Sequence, residues 1–188
     1  PKCNTEIAAT ELVQHIQNAI DNKLKVSMVT MDLQKAFDVI DVHKLIQTLE
    51  CSGIRGNTLN LIQSYLTNRE QVVKVGEHIS SSIKFSRGVV QGSILGPWLF
   101  IIFINSISSL QLSGKLFLYA DDCILINTHD QNEQIDLKIC KDMKIIINFF
   151  CHKNLILNQS KTKFIIFHSS YYKVNVPETI LIESTDDD

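Results

Sequence analysis

Three observations predict an α+β domain. The chain has 188 residues of which 45% are hydrophobic, enough for one domain with a substantial core. Apolar runs of strand length and segments of helical period follow one another in a mixed order, not as a regular β-α-β series. No internal repeat, low-complexity tract or Pro/Gly/Ser-rich linker divides the chain.

Taken in order, residues 5–20 place Ile7, Leu12, Val13, Ile16 and Ile20 near helical spacing, and Asp21-Asn22-Lys23 ends that amphipathic helix. Leu24 to Met31 begins with alternation and becomes more apolar, as a strand entering a covered sheet does; it ends at Asp32. A second helix is expected over His43 to Cys51, closed near Gly53. Asn57 is the expected N-cap of a third, which runs to about Leu66 with Leu59, Ile62 and Leu66 on one face. Gln71 to Val75 and Ile79 to Phe85 read as a polar hairpin turning near Gly76, and Gly88 to Pro97 as a glycine-punctuated loop. Pro97 suits the first turn of a helix. Trp98 to Ile107 is apolar on every side, which predicts a buried helix. Leu116-Phe117-Leu118 and Ile124-Leu125-Ile126 flank Tyr119-Ala120-Asp121-Asp122 and predict a β-hairpin. Gln134 to Phe150 reads as a further helix and Lys163 to His168 as a last strand.

Formal net charge is −2, so any nucleic-acid binding has to use local Lys/Arg patches and not the field of the whole domain. The five cysteines, Cys3, Cys51, Cys123, Cys140 and Cys151, are odd in number and dispersed, which argues against a disulfide framework and for reduced thiols. Cys140, Cys151 and His152 make no zinc pattern. No leader is expected at the N-terminus, and the longest apolar stretch, Trp98 to Ile104, is far too short to span a bilayer. An intracellular domain with no membrane partner is expected.

The hairpin turn carries the chemistry. Tight two-residue turns favour Asn-Gly or Asp-Gly because they need positive φ, and Asp121-Asp122 meets that need less well while adding adjacent like charges. Two readings stand side by side: a solvated acidic turn, and a site for a hard divalent cation. Asp32, at the end of an apolar strand, has the same two readings, strand-end cap or third ligand. Two strands ending in acids would put those acids at one sheet edge, where carboxylates repel unless cations neutralise them. Two Mg2+ ions, with Mn2+ as a substitute, would there serve an in-line phosphoryl displacement.

Four segments in one order decide between these readings. Asp32-Leu33-Gln34-Lys35-Ala36-Phe37-Asp38, Gly88-Val89-Val90-Gln91-Gly92-Ser93-Ile94-Leu95-Gly96-Pro97, Tyr119-Ala120-Asp121-Asp122 and Leu157-Asn158-Gln159-Ser160-Lys161-Thr162-Lys163 follow one another along the chain. In this the sequence resembles the reverse transcriptase domain of non-LTR (LINE-type) retrotransposons, in particular the jockey-like group. Gly53-Ile54-Arg55-Gly56 and Ser64-Tyr65-Leu66-Thr67-Asn68-Arg69 share the likeness, which covers nearly the whole chain.

The resemblance implies a right-hand polymerase palm, an antiparallel sheet with helices packed on one face, plus partial fingers. The palm would take about 24–44 and 89–170, and the fingers about 1–23 and 45–88, with the thumb absent. It implies that Asp32 and Asp121 bind the metals and that Asp122 supports them. Phe37 would be the steric gate against a 2′-hydroxyl, and Gln91 and Gly92 would lie against the incoming nucleotide and template. Tyr119 would pack beside the primer end, and Lys161 would act near the leaving pyrophosphate. Without the resemblance, Phe37 reads as a core aromatic, Gly88, Gly92 and Gly96 as turn punctuation, Tyr119 as a strand aromatic and Lys161 as a solvated surface cation.

Implied partners are an RNA template, a DNA primer and deoxynucleoside triphosphates, with the remaining fingers, the thumb and an endonuclease supplied by a parent polyprotein. Val90 stands where the family usually has proline, Ser106 where aspartate is common and Val42 where histidine is frequent; none of these is a metal ligand. The competing expectation is a truncated, inactive remnant that at most binds nucleic acid. A nucleotide cyclase also uses paired acids, but the Gln91-Gly92 loop and Phe37 disfavour it.

Overall fold

The computed structural model describes residues 5–119, 121–130 and 135–169. In chain order the elements are α1 (Thr5–Asp21), β1 (Lys25–Met31), α2 (Ala36–Val39), α3 (Val42–Cys51), α4 (Gly56–Leu66), β2 (Arg69–Gln71), β3 (Lys74–Val75) and β4 (His78–Ile79). There follow β5 (Ile83–Phe85), α5 (Leu95–Ile104), a 3-10 turn (Asn105–Ser109), β6 (Lys115–Tyr119), β7 (Asp122–His129), α6 (Ile135–His152) and β8 (Lys163–Phe167). They form two compact units. One comprises the described parts of 1–34, 107–151 and 156–188; the other comprises 35–106 and 152–155.

The first unit is built on an antiparallel sheet of order β6-β7-β1-β8. β1 pairs on both edges, and six of its seven residues are buried, which is why it reads as a nearly continuous apolar run. Side chains alternate across the sheet. Val26 and Met28 of β1 and Ile126 of β7 face α1, where Ala19 joins them and Leu12 and Ile16 pack beside. Ile7 and Val13, expected on the same stripe, are exposed, so the inner face of α1 is narrower than its apolar content.

The alternate residues of the sheet, Ser27 and Asn127 among them, point to the other side, and there Asn127 meets Asp142 of α6. The α+β class is the one expected, and helices serve both faces of the sheet, not one alone. α6 turns Ile135, Ile139, Met143, Ile146 and Phe150 inward at helical spacing, and Asp142 lies on that same stripe with none of its surface exposed.

The second unit packs α3 against α4 and α5. Val42, Leu45 and Leu49 of α3, Leu66 of α4 and Leu99, Phe100 and Phe103 of α5 supply its buried side chains. α4 begins at Gly56 with Arg55 in the N-cap position and no side-chain cap, so Asn57 is inside the helix and not its cap. The expected polar hairpin is present as two short ladders, β2 with β5 and β3 with β4, and Gly76 holds the turn at φ 60°.

The helix expected to be buried all round is covered on one side only. In α5 Leu99, Phe100, Phe103 and Ile104 are buried, whereas Leu95, Trp98 and Ile101 are exposed, as is Ile94 just before it. Hydrophobicity without a period shows that a helix is apolar; it does not show which neighbours cover it.

Asp41 caps α3, its Oδ1 accepting from the backbone N–H of His43 at 2.9 Å and of Lys44 at 3.1 Å. The Lys44 N–H bond is the largest influence holding this carboxyl below the ordinary aspartate range. The His43 N–H and the charges of Lys44 and Arg87 act the same way, against partial burial, which raises it. A depressed carboxyl stabilises the fold above its unfolded value and loses that contribution as pH falls through the folded value. Asp41→Ala is therefore expected to cost about 1 kcal/mol near neutrality. In urea titrations the gap between variant and parent should narrow below roughly pH 4, where the unfolded aspartate also takes up its proton.

Candidate active site

In the first unit the strand register brings the acids to one end of the sheet. The β1–β7 ladder finishes at Met31↔Cys123, so Asp32, the next residue of one strand, and Asp122, the preceding residue of the other, stand at the same end of adjacent strands. The β6–β7 ladder closes at Tyr119↔Asp122, so Asp122 is already on the strand and Asp121 lies in the turn before it. The sequence reading put both acids in the break; only Asp121 belongs to it. Ala120 lies outside the described residues. Asp121 is half-buried and Asp122 exposed. Tyr119 is exposed on the last rung of β6.

The segment after α6 is bound to Asp32 at several points. Leu157 bridges Leu33, Gln34 N–H donates to the Ile156 carbonyl at 2.8 Å, and Asn158 N–H donates to the Asp32 carbonyl at 2.8 Å. Asn158 Nδ2 also donates to Asp32 Oδ2 at 3.0 Å, and Lys161 Nζ stands 3.4 Å from the same oxygen. The Ser160 hydroxyl donates to Asn158 Oδ1 at 2.8 Å, which fixes the amide with its nitrogen toward Asp32. Asn158 and Ser160 were missed as positioning residues. Their only signal in the sequence is membership of the fourth motif.

The donor set at this sheet end, carboxylate oxygens with no thiol or imidazole among Asp32, Asp121 and Asp122, suits a hard divalent ion such as Mg2+. Among the described residues no three His, Cys, Asp or Glu side chains are grouped closely enough to hold an ion as they stand. Beside Asp122, Cys123 is buried and its thiol is pushed up to about 12 by desolvation, so it stays neutral. Cys51, Cys123, Cys140 and Cys151 are free thiols.

In the second unit Phe37, on the short helix α2, is half-buried and packs its ring on Phe100 with centroids 4.9 Å apart and planes tilted by 41°. Gln91 and Gly92 are exposed. Gln91 Nε2 donates to Asp38 Oδ1 at 2.7 Å, which leaves the amide oxygen as the acceptor turned elsewhere. Arg69 Nε donates to the Leu66 carbonyl at 3.0 Å, and its Nη2 donates to the carbonyls of Arg87 and Gly88. These contacts frame a cavity of about 790 Å3 lined by Lys35, Asp38, Arg69, Arg87, Gly88 and Gln91. Asp38 and Arg69 therefore hold the Gln91 loop, a task that no local pattern announces.

Gly88 is required where it stands. Its φ is +77°, and a Cβ there would come within 2.7 Å of the Asp38 carbonyl oxygen and 2.9 Å of the Phe37 carbonyl oxygen. Gly88→Ala is expected to destabilise the second unit by about 2–4 kcal/mol, the sum of left-handed backbone cost and overlap with rigid backbone. A urea titration that shows less than about 1 kcal/mol would mean that the loop relaxes freely around the methyl group.

The reverse transcriptase (RNA-dependent DNA polymerase) family matches residues 4–179. The chain belongs to the reverse transcriptase family.

Its curated relatives include the Pol polyprotein of the type-1 retrotransposable element R2 from Popillia japonica, 26% identical over 79% of this chain and 22% of that protein. The probable RNA-directed DNA polymerases of transposon X-element and transposon BS from Drosophila melanogaster are 28% and 30% identical over 66% and 61% of this chain. They are covered over 14% and 13% of their own lengths, so this reverse transcriptase domain spans less than a quarter of the relatives it matches. Telomerase from Candida tropicalis, solved with a fragment of telomeric RNA, superposes with a TM-score of 0.65 at 16% identity over 90% of this chain and 30% of that one. An apo telomerase of the same organism gives 0.62 over 92% of this chain. The fold is thus that of a reverse transcriptase palm, and the relatives are non-LTR retrotransposon enzymes, as the four motifs imply. The family comprises RNA-directed DNA polymerases, which are nucleotidyltransferases that bind RNA templates and generally use divalent metal ions.

Proposed function

We propose that this reverse transcriptase domain carries the polymerising core of an RNA-directed DNA polymerase. It adds deoxynucleotides to a DNA primer 3′-hydroxyl under direction of an RNA template, within a longer polypeptide of the kind its relatives form. The observation that carries this reading is the β1–β7 register, which sets Asp32 at the same sheet end as Asp121 and Asp122.

Divalent ions, two Mg2+ by this reading, supply Lewis-acid stabilisation of the attacking and leaving oxygens when bound. Asp32 and Asp121 hold them, and Asp122 adds negative charge beside them. Asn158, itself aimed by Ser160, keeps the Asp32 carboxylate in place. Lys161 offers a cation to the departing pyrophosphate, either by donating a proton or by offsetting charge.

Phe37 is held by Phe100 and takes the steric-gate role, since a ring fixed under a sugar leaves no room for a 2′-hydroxyl. Gln91, oriented by Asp38, and Gly92 are assigned to the nucleotide and template, and Tyr119 to the primer end. By the same reading about 24–44 and 89–170 are palm, and about 1–23 and 45–88 are partial fingers.

The test is extension of a labelled DNA primer on an RNA template with Mg2+. Extension with deoxynucleotides and far less with ribonucleotides is expected. RNA binding with no extension, under Mg2+ and Mn2+ alike, would overturn the polymerase reading in favour of a binding remnant.

A further inference from the structure

We propose that Lys161 is the resident counter-ion of Asp32, holding one oxygen of that carboxylate while divalent metal is absent and giving it up when metal enters. The inference rests on the metal-ligand role of Asp32 proposed above.

Asp32 Oδ2 has two partners of different kinds. Asn158 is built in: its backbone N–H meets the Asp32 carbonyl at 2.8 Å, its Nδ2 meets Oδ2 at 3.0 Å, and Ser160 locks the amide from the other end at 2.8 Å. Lys161 reaches the same oxygen from outside. Its ammonium is 3.4 Å away and its side chain is 67% exposed, against 28% for Asp32. A flexible four-carbon stem held by one ion pair is free to swing off. An exposed pair of this sort shifts an equilibrium by about fivefold at most, so a divalent ion can displace it.

Electrostatics favours the exchange. Three carboxylates at one sheet end repel one another when no cation is near, and the ammonium offsets part of that charge. Once a divalent ion approaches Asp32, the same ammonium becomes a like charge beside it. Lys161 thus stabilises the metal-free site and opposes the first ion, whereas Asn158, which is neutral, aims the carboxylate in both states.

Opposite signs for the two side chains make the test. The probe is Mn2+ alone, titrated into the chain without nucleic acid or nucleotide and followed through the electron paramagnetic resonance signal of the free ion. K161Q is expected to bind Mn2+ roughly threefold to tenfold more tightly than the parent chain, the scale of one ion pair plus one relieved repulsion. K161R should stay near the parent, and N158A should bind more weakly. Unchanged or weaker binding by K161Q overturns the proposal. D32N distinguishes that failure from failure of the underlying reading. If D32N binds Mn2+ as well as the parent, Asp32 is no ligand and both fall; if D32N loses binding while K161Q is unchanged, the counter-ion role alone is wrong.

Discussion

Asp121→Asn is expected to lower the single-turnover rate of primer extension on the order of a thousandfold, the scale of several kcal/mol of lost metal-borne transition-state stabilisation. The substitution keeps the shape but removes the charge that would retain a divalent ion and turns one acceptor oxygen into an NH2 donor. Asp121 sits half-buried in the turn just before paired Asp122, where a formal charge has no structural task in the ladder. Removing one of several clustered carboxylates relieves repulsion, so the melting temperature should stay level or rise slightly while activity collapses. Asp32→Asn should behave alike in rate. Asp122→Asn should lose less, because that residue is exposed on the first rung of β7 and is assigned a supporting charge. A loss below about tenfold for Asp121→Asn would remove it from the metal site, since a single such step is only ~1.4 kcal/mol.

Asp142→Leu is expected to cost about 3–5 kcal/mol of stability, the scale of three hydrogen bonds to one carboxylate lost together, at roughly 1–1.5 kcal/mol each. Asp142 has no exposed surface. Its Oδ1 accepts from Ser113 N–H at 2.9 Å, and its Oδ2 from Gly114 N–H at 2.8 Å and from Asn127 Nδ2 at 2.7 Å. Leucine would leave those three donors without their acceptor, the Asn127 amide in a buried position and the Ser113 and Gly114 N–H groups nearer the surface.

Gly114 is part of the same joint, since a Cβ there would fall 2.5 Å from the Ile126 carbonyl oxygen and 2.6 Å from Asn127 Nδ2. The approach of the 113–114 backbone to β7 is what lets one carboxylate collect all three donors. Asp142→Asn should lose less than Asp142→Leu, because one oxygen still accepts while the amide NH2 faces a donor. Many domains have only ~5–15 kcal/mol in total, so urea unfolding should show the Leu variant near the edge of folding. A cost below about 1.5 kcal/mol would mean that water reaches those donors.

Much of the fold was legible before the structure. α1, β1, α3, α6 and β8 agree with their expected spans to within a few residues, because each has a period or a strong apolar run that acts locally. The four ordered motifs pointed to the reverse transcriptase family and to the acids Asp32, Asp121 and Asp122. Less legible were features whose cause lies elsewhere in the chain. The uncovered side of α5 is one: Trp98 and Ile101 look as core-like in sequence as Phe100 and Phe103. The placement of Asp122 on a strand is another, since a rung is defined by its partner, Tyr119, and not by the acid itself.

The sequence by itself determined where most strands and helices lie, the family, and that an acid follows β1, because periodicity, turn chemistry and motif order are written over a few neighbouring residues. Only the tertiary structure decided which donor meets which acceptor. Asp142 reads in sequence as an ordinary helical acid, and becomes the anchor of the 113–114 backbone only when the fold brings α6 beside Asn127 of β7. Asn158 and Lys161 lie more than a hundred residues from Asp32 and reach it only because β8 pairs with β1. Such contacts depend on register and side-chain direction between distant strands, and no local pattern encodes those.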